Sequence, residues 1–284
     1  MGSKICLWAI FLSLLPVISY AQNQNDSQVL ELYVKSGMKK QLGQLPSLIQ
    51  TLFDQSVAQD EHAPKLPKEV LSAMRASVPE AFASEKMKEA MLAKLKEKLR
   101  AQDIKKVLRW LDSPLGKKCT QLEEAASAPE AQAEIQQYTA RLQDSPPTAK
   151  RLKVLREFDS ALKATESAVD IAIHTQVAVA MAIIAAFPLE QQRPLDDLSR
   201  EMEKTRPVLE ATVRSQMLIS DLYTYRSLTE ADIQLYTKFA KSPAGSKYTS
   251  VTTAVLKEAV LEGAVKWGKI IGEIIKEMQN KSEA

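Results

Sequence analysis

The sequence predicts an all-α protein: two helical-bundle halves related by an internal repeat, behind an N-terminal signal peptide. Only 8 of the 284 residues are glycine, while alanine, leucine, lysine, glutamate and glutamine dominate, and this composition favours helices. The alternation of polar residues with valine, isoleucine and threonine that strands require is almost absent. A segment near residue 110 also recurs near residue 240 in the same register. Composition therefore predicts the fold class, and the recurrence predicts the two halves.

Residues 1–21 are typical of a secretory signal peptide. One lysine supplies positive charge, and the apolar run of residues 5–15 is too short to span a bilayer comfortably. Ser19 and Ala21 place small residues before a cleavage site at Gln22. An uncleaved N-terminal anchor is the alternative, which the polar stretch after the cleavage site disfavours. We therefore expect a periplasmic or secreted protein.

Charge and cysteine content argue against nucleic-acid binding and against an internal disulfide. Cleavage removes one lysine and no acidic residue, so the formal charge falls from +3 to +2. Such an even balance lacks the concentrated basic patch of a nucleic-acid-binding protein. Cys6 leaves with the signal peptide and Cys119 remains alone. Cys119 is interpreted as a buried thiol, and an intermolecular bridge or a reactive nucleophile are the alternatives.

Apolar residues at a spacing of three to four predict amphipathic helices along most of the mature chain. Pro46 is expected to kink or restart the first helix, and Pro79 to break a later one. Two adjacent prolines near the middle of the chain form the clearest linker, because they cannot continue a helix. The division there gives a first helical half of residues 22–145 and a second half of residues 146–284.

Residues 168–187 are nearly all apolar. A transmembrane helix is disfavoured, because Asp170 and His174 interrupt the run and the uninterrupted part, Val177 to Phe187, is too short to span a bilayer. The preferred interpretation is a central helix that is buried on all sides. Together with methionine-rich helix faces and an amphipathic C-terminal helix, the same run would also suit a groove for an apolar ligand.

The repeat is visible when residues 99–120 are aligned with residues 228–249 without a gap. The matched positions are Asp103 with Asp232, Ile104 with Ile233, Trp110 with Phe239, Ser113 with Ser242, Pro114 with Pro243, Gly116 with Gly245, and Lys118 with Lys247. We call residues 110–118 the first corner and residues 239–247 the second corner. Chance hardly explains so many flanking matches in one register.

Each corner is predicted to join two helices at a sharp, fixed angle. The residue before proline avoids helical angles, so the first helix ends at the serine, whose side chain caps the next helix. Proline at the first helical position leaves no amide unsatisfied, and the glycine lets the preceding helix lie close. Thr229 and Asp232 predict a capped start for the helix before the second corner. Arg100 is no cap, so the helix before the first corner is expected to run on from the previous one.

The corners also resemble a known family. An aromatic residue followed by Ser-Pro-x-Gly and a lysine, in an exported helical protein, is similar to the domain of unknown function 2059 family of bacterial proteins. The core phrase of that family is close to Phe-Tyr-x-Ser-Pro-x-Gly-x-Lys, and Leu111 and Ala240 stand where it has the second aromatic residue. The resemblance covers a small part of each half. It implies a periplasmic or secreted helical protein of Gram-negative bacteria, and it implies no activity.

The sequence predicts no catalytic residue, no cofactor and no metal site. Asp170 and His174 lie four residues apart on one helix face and are expected to form a buried hydrogen-bonded pair, which would satisfy two core groups or orient a base. His62, the other histidine, lies in a predicted loop. The adjacent carboxylates Glu123 and Glu124 are expected to be solvated. No zinc helix, nucleophile elbow or phosphate-binding loop is present.

Three hypotheses for function follow. The leading one is a non-enzymatic periplasmic protein that binds, inhibits or escorts another envelope protein, with the corners either purely structural or presenting a surface to that partner. The second is a carrier of a lipid or another apolar ligand. The third is an enzyme that uses Asp170 and His174.

Overall fold

The computed structural model describes residues 26–59, 68–128, 130–184 and 195–283. Within these ranges the chain is almost entirely helical and has no strand, which confirms the all-α prediction. The predicted signal peptide, His62 and the end of the apolar run beyond residue 184 lie outside the described residues.

The helices follow one another along the chain with short connections. They are α1 (26–35), α2 (Met38–Gln59), α3 (Lys68–Ala81), α4 (Ser84–Lys98), α5 (Ala101–Leu111), α6 (Pro114–Ala126), α7 (Ala131–Asp144), α8 (Ala149–Leu162), α9 (Ala164–Ile184), α10 (Leu195–Thr224), α11 (Glu230–Lys241) and α12 (Pro243–Glu283). None of these helices combines the length and the apolar character that a membrane span requires.

Two helix breaks occur at residues in the left-handed region of backbone space. Gly37, with φ of 77°, separates α1 from α2, and Lys163, with φ of 53°, separates α8 from α9. Such a residue commonly ends a helix, and glycine adopts this conformation without strain. Both breaks interrupt apolar patterns that, from spacing alone, continue across them.

Prolines, by contrast, do not break the helices where the sequence analysis expects them to. Pro46 and Pro79 lie inside α2 and α3, so the expected break at Pro79 is wrong and the helix does not restart at Pro46. A proline inside a helix deprives the carbonyl four residues earlier of its donor. For Pro79 that carbonyl belongs to Arg75, and Gln50 Nε2 of α2 donates to it at 3.1 Å. A neighbouring helix therefore replaces the lost hydrogen bond.

The long helix α12 completes the main hydrophobic core by packing against α3, α4, α5 and α9. Trp267 lies at its centre: its Nε1 donates to the carbonyl of Met74 at 3.0 Å, and its ring meets the edges of Phe53 and Phe82 at centroid distances of 5.5 and 6.3 Å. The fully buried members of this core include Leu32, Val70, Val78, Phe82, Leu95, Ile104, Val107, Ala264 and Ile271. The core thus joins residues from the two ends of the described chain.

A second, smaller core lies around α8, α10 and α11 and includes one residue of α6. Its buried members are Cys119, Val154, Leu155, Phe158, Leu222, Tyr225, Leu228 and Ile233. Each of the two cores contains residues from both sides of the proline linker, which connects Asp144 to Ala149. The predicted halves therefore share their cores.

Cys119 is a buried free thiol, only 1% exposed. Burial, reinforced by the charges of Glu123 and Asp232, raises its pKa to about 12. Because the thiolate is the reactive form, we expect the native mature protein to resist a disulfide reagent at pH 8 and to react once per chain after unfolding in guanidinium. Rapid labelling of the native protein, or a dimer band on a non-reducing gel, would contradict this expectation.

Candidate functional site

The two corners have the same local geometry. Ser113 Oγ accepts a hydrogen bond from Gly116 N at 3.0 Å and donates to the carbonyl of Trp110 at 2.6 Å. Ser242 Oγ makes the same pair of bonds with Gly245 N and the carbonyl of Phe239, at 3.1 and 2.6 Å. Both serines have φ near −66° and ψ of 154°. Each serine hydroxyl is therefore fully engaged by the backbone, and a proline starts each following helix.

The glycines are required by the close approach of the preceding helix. A Cβ atom on Gly116 would lie 2.0 Å from the carbonyl oxygen of Trp110, and one on Gly245 would lie 2.1 Å from that of Phe239. Both neighbours are backbone atoms, which cannot move aside as a flexible side chain can. The Ser-Pro-x-Gly sequence thus encodes a turn in which one helix end rests on the other.

The two corners pack directly against each other, an arrangement that the sequence analysis did not anticipate. The rings of Trp110 and Phe239 stack with centroids 4.6 Å apart and an interplanar angle of 9°. Tyr236 adds a third ring 5.3 Å from Trp110. Such contacts contribute beyond the apolar area that they bury. The aromatic residue of each corner therefore fixes the position of the other corner.

The lysines of the corners also reach across this contact. Lys247 of the second corner lies 3.6 Å from Asp103, which precedes the first corner and is only 3% exposed. Lys118 of the first corner donates to the carbonyl of Ser227 at 3.3 Å, and its charge helps lower the pKa of Asp232 after the stronger effect of the Thr229 hydrogen bonds.

Of the two helices that precede the corners, α11 starts as expected and α5 does not. Thr229 and Asp232 form the expected cap, since each side chain accepts from the other residue's backbone N–H. The expectation that α5 continues from the previous helix is wrong, because α4 ends at Lys98 and Arg100 is extended. The guanidinium of Arg100 binds the Asp103 carboxylate at 2.9 and 3.2 Å and lowers its pKa. The start of α5 therefore has an ion pair between side chains but no side-chain cap.

Asp170 and His174 do not form the predicted buried pair. Asp170 binds Arg206 of α10 at 2.9 Å and Lys257 of α12 at 3.1 Å, and its side chain remains 31% exposed. His174 Nδ1 is buried and accepts or donates no hydrogen bond within the described part of the chain. The prediction fails because two cations distant in sequence occupy both oxygens of Asp170, which makes this residue a tie between α9, α10 and α12.

Glu123 is not the solvated carboxylate that the sequence suggests. It lies on α6 and accepts a hydrogen bond from the hydroxyl of Tyr225 at 2.9 Å and another from Tyr236. Burial raises its pKa to about 7. Asp221 on α10 is partly buried, and this desolvation, together with the charges of Asp159 and Glu123, raises its pKa to about 7. Sequence reasoning missed this cluster because its members come from four separate helices.

A surface groove of about 270 Å³ lies between α4 and α12. Its floor consists of small or flexible side chains that recur at helical spacing on both helices, namely Ala83, Met87, Ala90, Ala259 and Gly263. Lys266 at its edge pairs with Glu80 at 3.1 Å. Within the described ranges, Lys86, Lys269 and Glu262 line the same groove without an ion pair. No group of three His, Cys, Asp or Glu side chains in those ranges is arranged to hold a metal ion.

One stretch of the chain matches a known protein family. Residues 85–145 match the DUF2059 family, described as uncharacterized proteins conserved in bacteria. The match confirms the resemblance to this family over residues 85–145. Neither the curated proteins nor the solved structures include one that matches the chain.

The DUF2059 match spans α4 to α7, so it contains the first corner and Glu123. The second corner, at residues 239–247, lies beyond the matched residues, although its hydrogen bonds repeat those of the first. The description of DUF2059 gives no activity.

Proposed function

We propose that this chain is exported and acts without catalysing a reaction, as a protein that binds another protein of the bacterial envelope. Its export rests on the sequence of residues 1–21, with cleavage before Gln22. Its binding role rests on one observation: an open groove between α4 and α12 is lined by small side chains, of which Ala90 is exposed, and is bordered by Lys86 and Lys269.

The corners support a structural role rather than a chemical one. Each serine hydroxyl is held between a backbone N–H and a carbonyl, and each aromatic ring is stacked on the other. The serine hydroxyls and aromatic rings of the corners thus make contacts that stabilise the fold. A partner surface is better sought where side chains are exposed and unpaired.

The groove fits a helical segment of a partner. Ala83 and Ala90, seven positions apart, line one side of the groove and Ala259 lines the other, and such small side chains allow a third helix to approach closely. Lys86 and Lys269 border this floor and have no ion pair among the described residues, so they favour an acidic residue on the partner. At about 270 Å³, the groove lies just below the usual size of a small-molecule pocket, which favours side chains of a protein over a separate ligand.

Site-specific crosslinking tests this proposal. A photoreactive amino acid at Ala90, which is exposed in the groove, is expected to capture a periplasmic protein. Reversal of both lysines, Lys86→Glu with Lys269→Glu, is expected to reduce the captured band at least fivefold, since it removes the charge complementarity. The intact mass of the protein from the periplasmic fraction is expected to correspond to residues 22–284.

The matched control carries the same photoreactive group at Lys105, an exposed residue of α5 outside the groove. Capture at Ala90 alone supports a groove-specific partner. Equal bands from both positions, or none from Ala90, contradict the groove as the binding surface. A protein that retains residues 1–21 or stays in the cytoplasm contradicts export.

The carrier alternative depends on residues 177–187, and most of their side chains lie outside the described residues. Native mass spectrometry decides it: co-purified lipid on the gently isolated protein supports a carrier, and a bare mass counts against it. The enzyme alternative requires Asp170 to orient His174. The ion pairs of Asp170 with Arg206 and Lys257 count against it, because they occupy both carboxylate oxygens.

A further inference from the structure

Glu123 connects α6 to α10 and α11 through hydrogen bonds from two tyrosines. Its carboxyl group accepts from Tyr225 at the end of α10 and from Tyr236 of α11. The ring of Phe158, on α8, packs against both tyrosine rings. Its centroid lies 5.3 Å from that of Tyr225 and 4.8 Å from that of Tyr236. The hydrogen bonds to this one carboxyl group thus add to the apolar contacts of Cys119, Leu115 and Leu122 that hold α6 on its neighbours.

A second and a third carboxyl group lie in the same cluster. Asp221 of α10 interacts electrostatically with both Glu123 and Asp159 of α8. One oxygen of Asp159 is already bound by the backbone N–H and the hydroxyl of Thr165, each at 2.9 Å. Ionisation of Glu123 and Asp221 together would therefore place three negative charges around a largely apolar centre.

Cations on the helices of this cluster and on α2 are bound to other groups. Arg151 of α8 donates to the carbonyls of Leu228 and Tyr225, at 2.8 and 2.6 Å. Lys118 of α6 donates to the carbonyl of Ser227, and Lys40 of α2 lies 3.7 Å from Glu124. The remaining titratable neighbours are the acidic or neutral groups Cys119 and Glu124 of α6, Asp232 of α11 and Tyr248 of α12. Within the described ranges, no cation forms an ion pair with Glu123 or Asp221.

The matched register of the two corners offers an internal comparison. Thr252 stands where the first corner has Glu123, and Val107 stands where the second has Tyr236. The hydroxyl of Thr252 merely donates to carbonyls of its own helix, at 3.0 Å. The helix after the second corner therefore lacks the ionisable contact that holds α6.

We propose that Glu123 is a pH-dependent latch, which holds α6 against α10 and α11 through Tyr225 and Tyr236 when its carboxyl group is protonated and loosens α6 when Glu123 and the neighbouring Asp221 ionise. The pKa values of both groups are raised to about 7, in each case chiefly by burial. A raised carboxyl pKa means that the folded state binds protons more tightly than the unfolded state does. The stabilisation is therefore complete below about pH 4 and is lost as the pH rises through about 7.

Hydrogen exchange resolved by peptide tests this latch on the full mature chain. Between pH 5.5 and pH 8.0, after correction for the intrinsic exchange rate, we expect the protection of residues 114–126 to fall at least tenfold. The matched residues 243–255 are expected to keep their protection within a factor of three. Equal protection of α6 at both pH values would overturn the proposal.

Two substitutions test whether Glu123 is the group responsible. Glu123→Gln keeps a carbonyl oxygen for the tyrosines but cannot ionise, so it is expected to reduce the pH-dependent loss to less than threefold. Glu124→Gln, at the adjacent residue that faces Lys40, is expected to leave the tenfold loss unchanged. The proposal fails if Glu123→Gln exchanges with the pH dependence of the original protein, or if Glu124→Gln abolishes that dependence.

Discussion

Replacing Gly245 with alanine is expected to lower the free energy of unfolding by about 3 kcal/mol. The added methyl group would lie 2.1 Å from the carbonyl oxygen of Phe239, so the end of α11 and the start of α12 must separate. That separation also disturbs the stacking of Phe239 on Trp110. Urea denaturation followed by circular dichroism measures the change.

Gly43→Ala supplies the matched control for this prediction. Gly43 lies inside α2 with no atom near the position of a Cβ. The same substitution there is expected to leave stability unchanged or to raise it by about 0.5–1 kcal/mol, because alanine is the better helix former. Similar losses at both positions would show that the close contact at the corner does not govern stability.

Truncating Trp267 to alanine is expected to lower the free energy of unfolding by about 4 kcal/mol. Trp267 is 6% exposed and packs against the rings of Phe53 and Phe82 at the centre of the main core. Its loss leaves a cavity and removes the donor for the carbonyl of Met74, which tethers α12 to α3. Thermal and urea unfolding of the variant provide the measurement.

Trp267→Phe separates the two parts of this effect. Phenylalanine fills much of the space but cannot donate a hydrogen bond, so a loss of about 1–2 kcal/mol is expected. If the alanine variant unfolds with the same midpoint as the original protein, α12 is not anchored through this residue.

The sequence predicted the elements whose signals are local. The fold class follows from composition, and the bounds of α11 follow from Thr229 and Pro243, because a capping residue and a proline act within a few residues of themselves. Ser113 and Ser242 take the conformation that a capping serine before proline implies.

Features that depend on distant residues were not predictable in this way. Pro79 stays inside α3 because Gln50 of another helix supplies a donor. Asp170 is bound by Arg206 and Lys257 rather than by its helical neighbour. The Glu123 cluster likewise needs tyrosines that follow it by about a hundred residues. Spacing along one helix gives no information about partners that the fold brings from elsewhere.

The packing of α12 has a consequence for the order of events during synthesis. Trp267 bonds to Met74, 193 positions earlier, and Ile271 is fully buried in the same core. Helices made first therefore have no complete core until this late helix has been translated. A nascent chain in that condition remains unfolded for longer than one built from local contacts. Under the export proposed above, this delay would help to keep the chain competent for translocation.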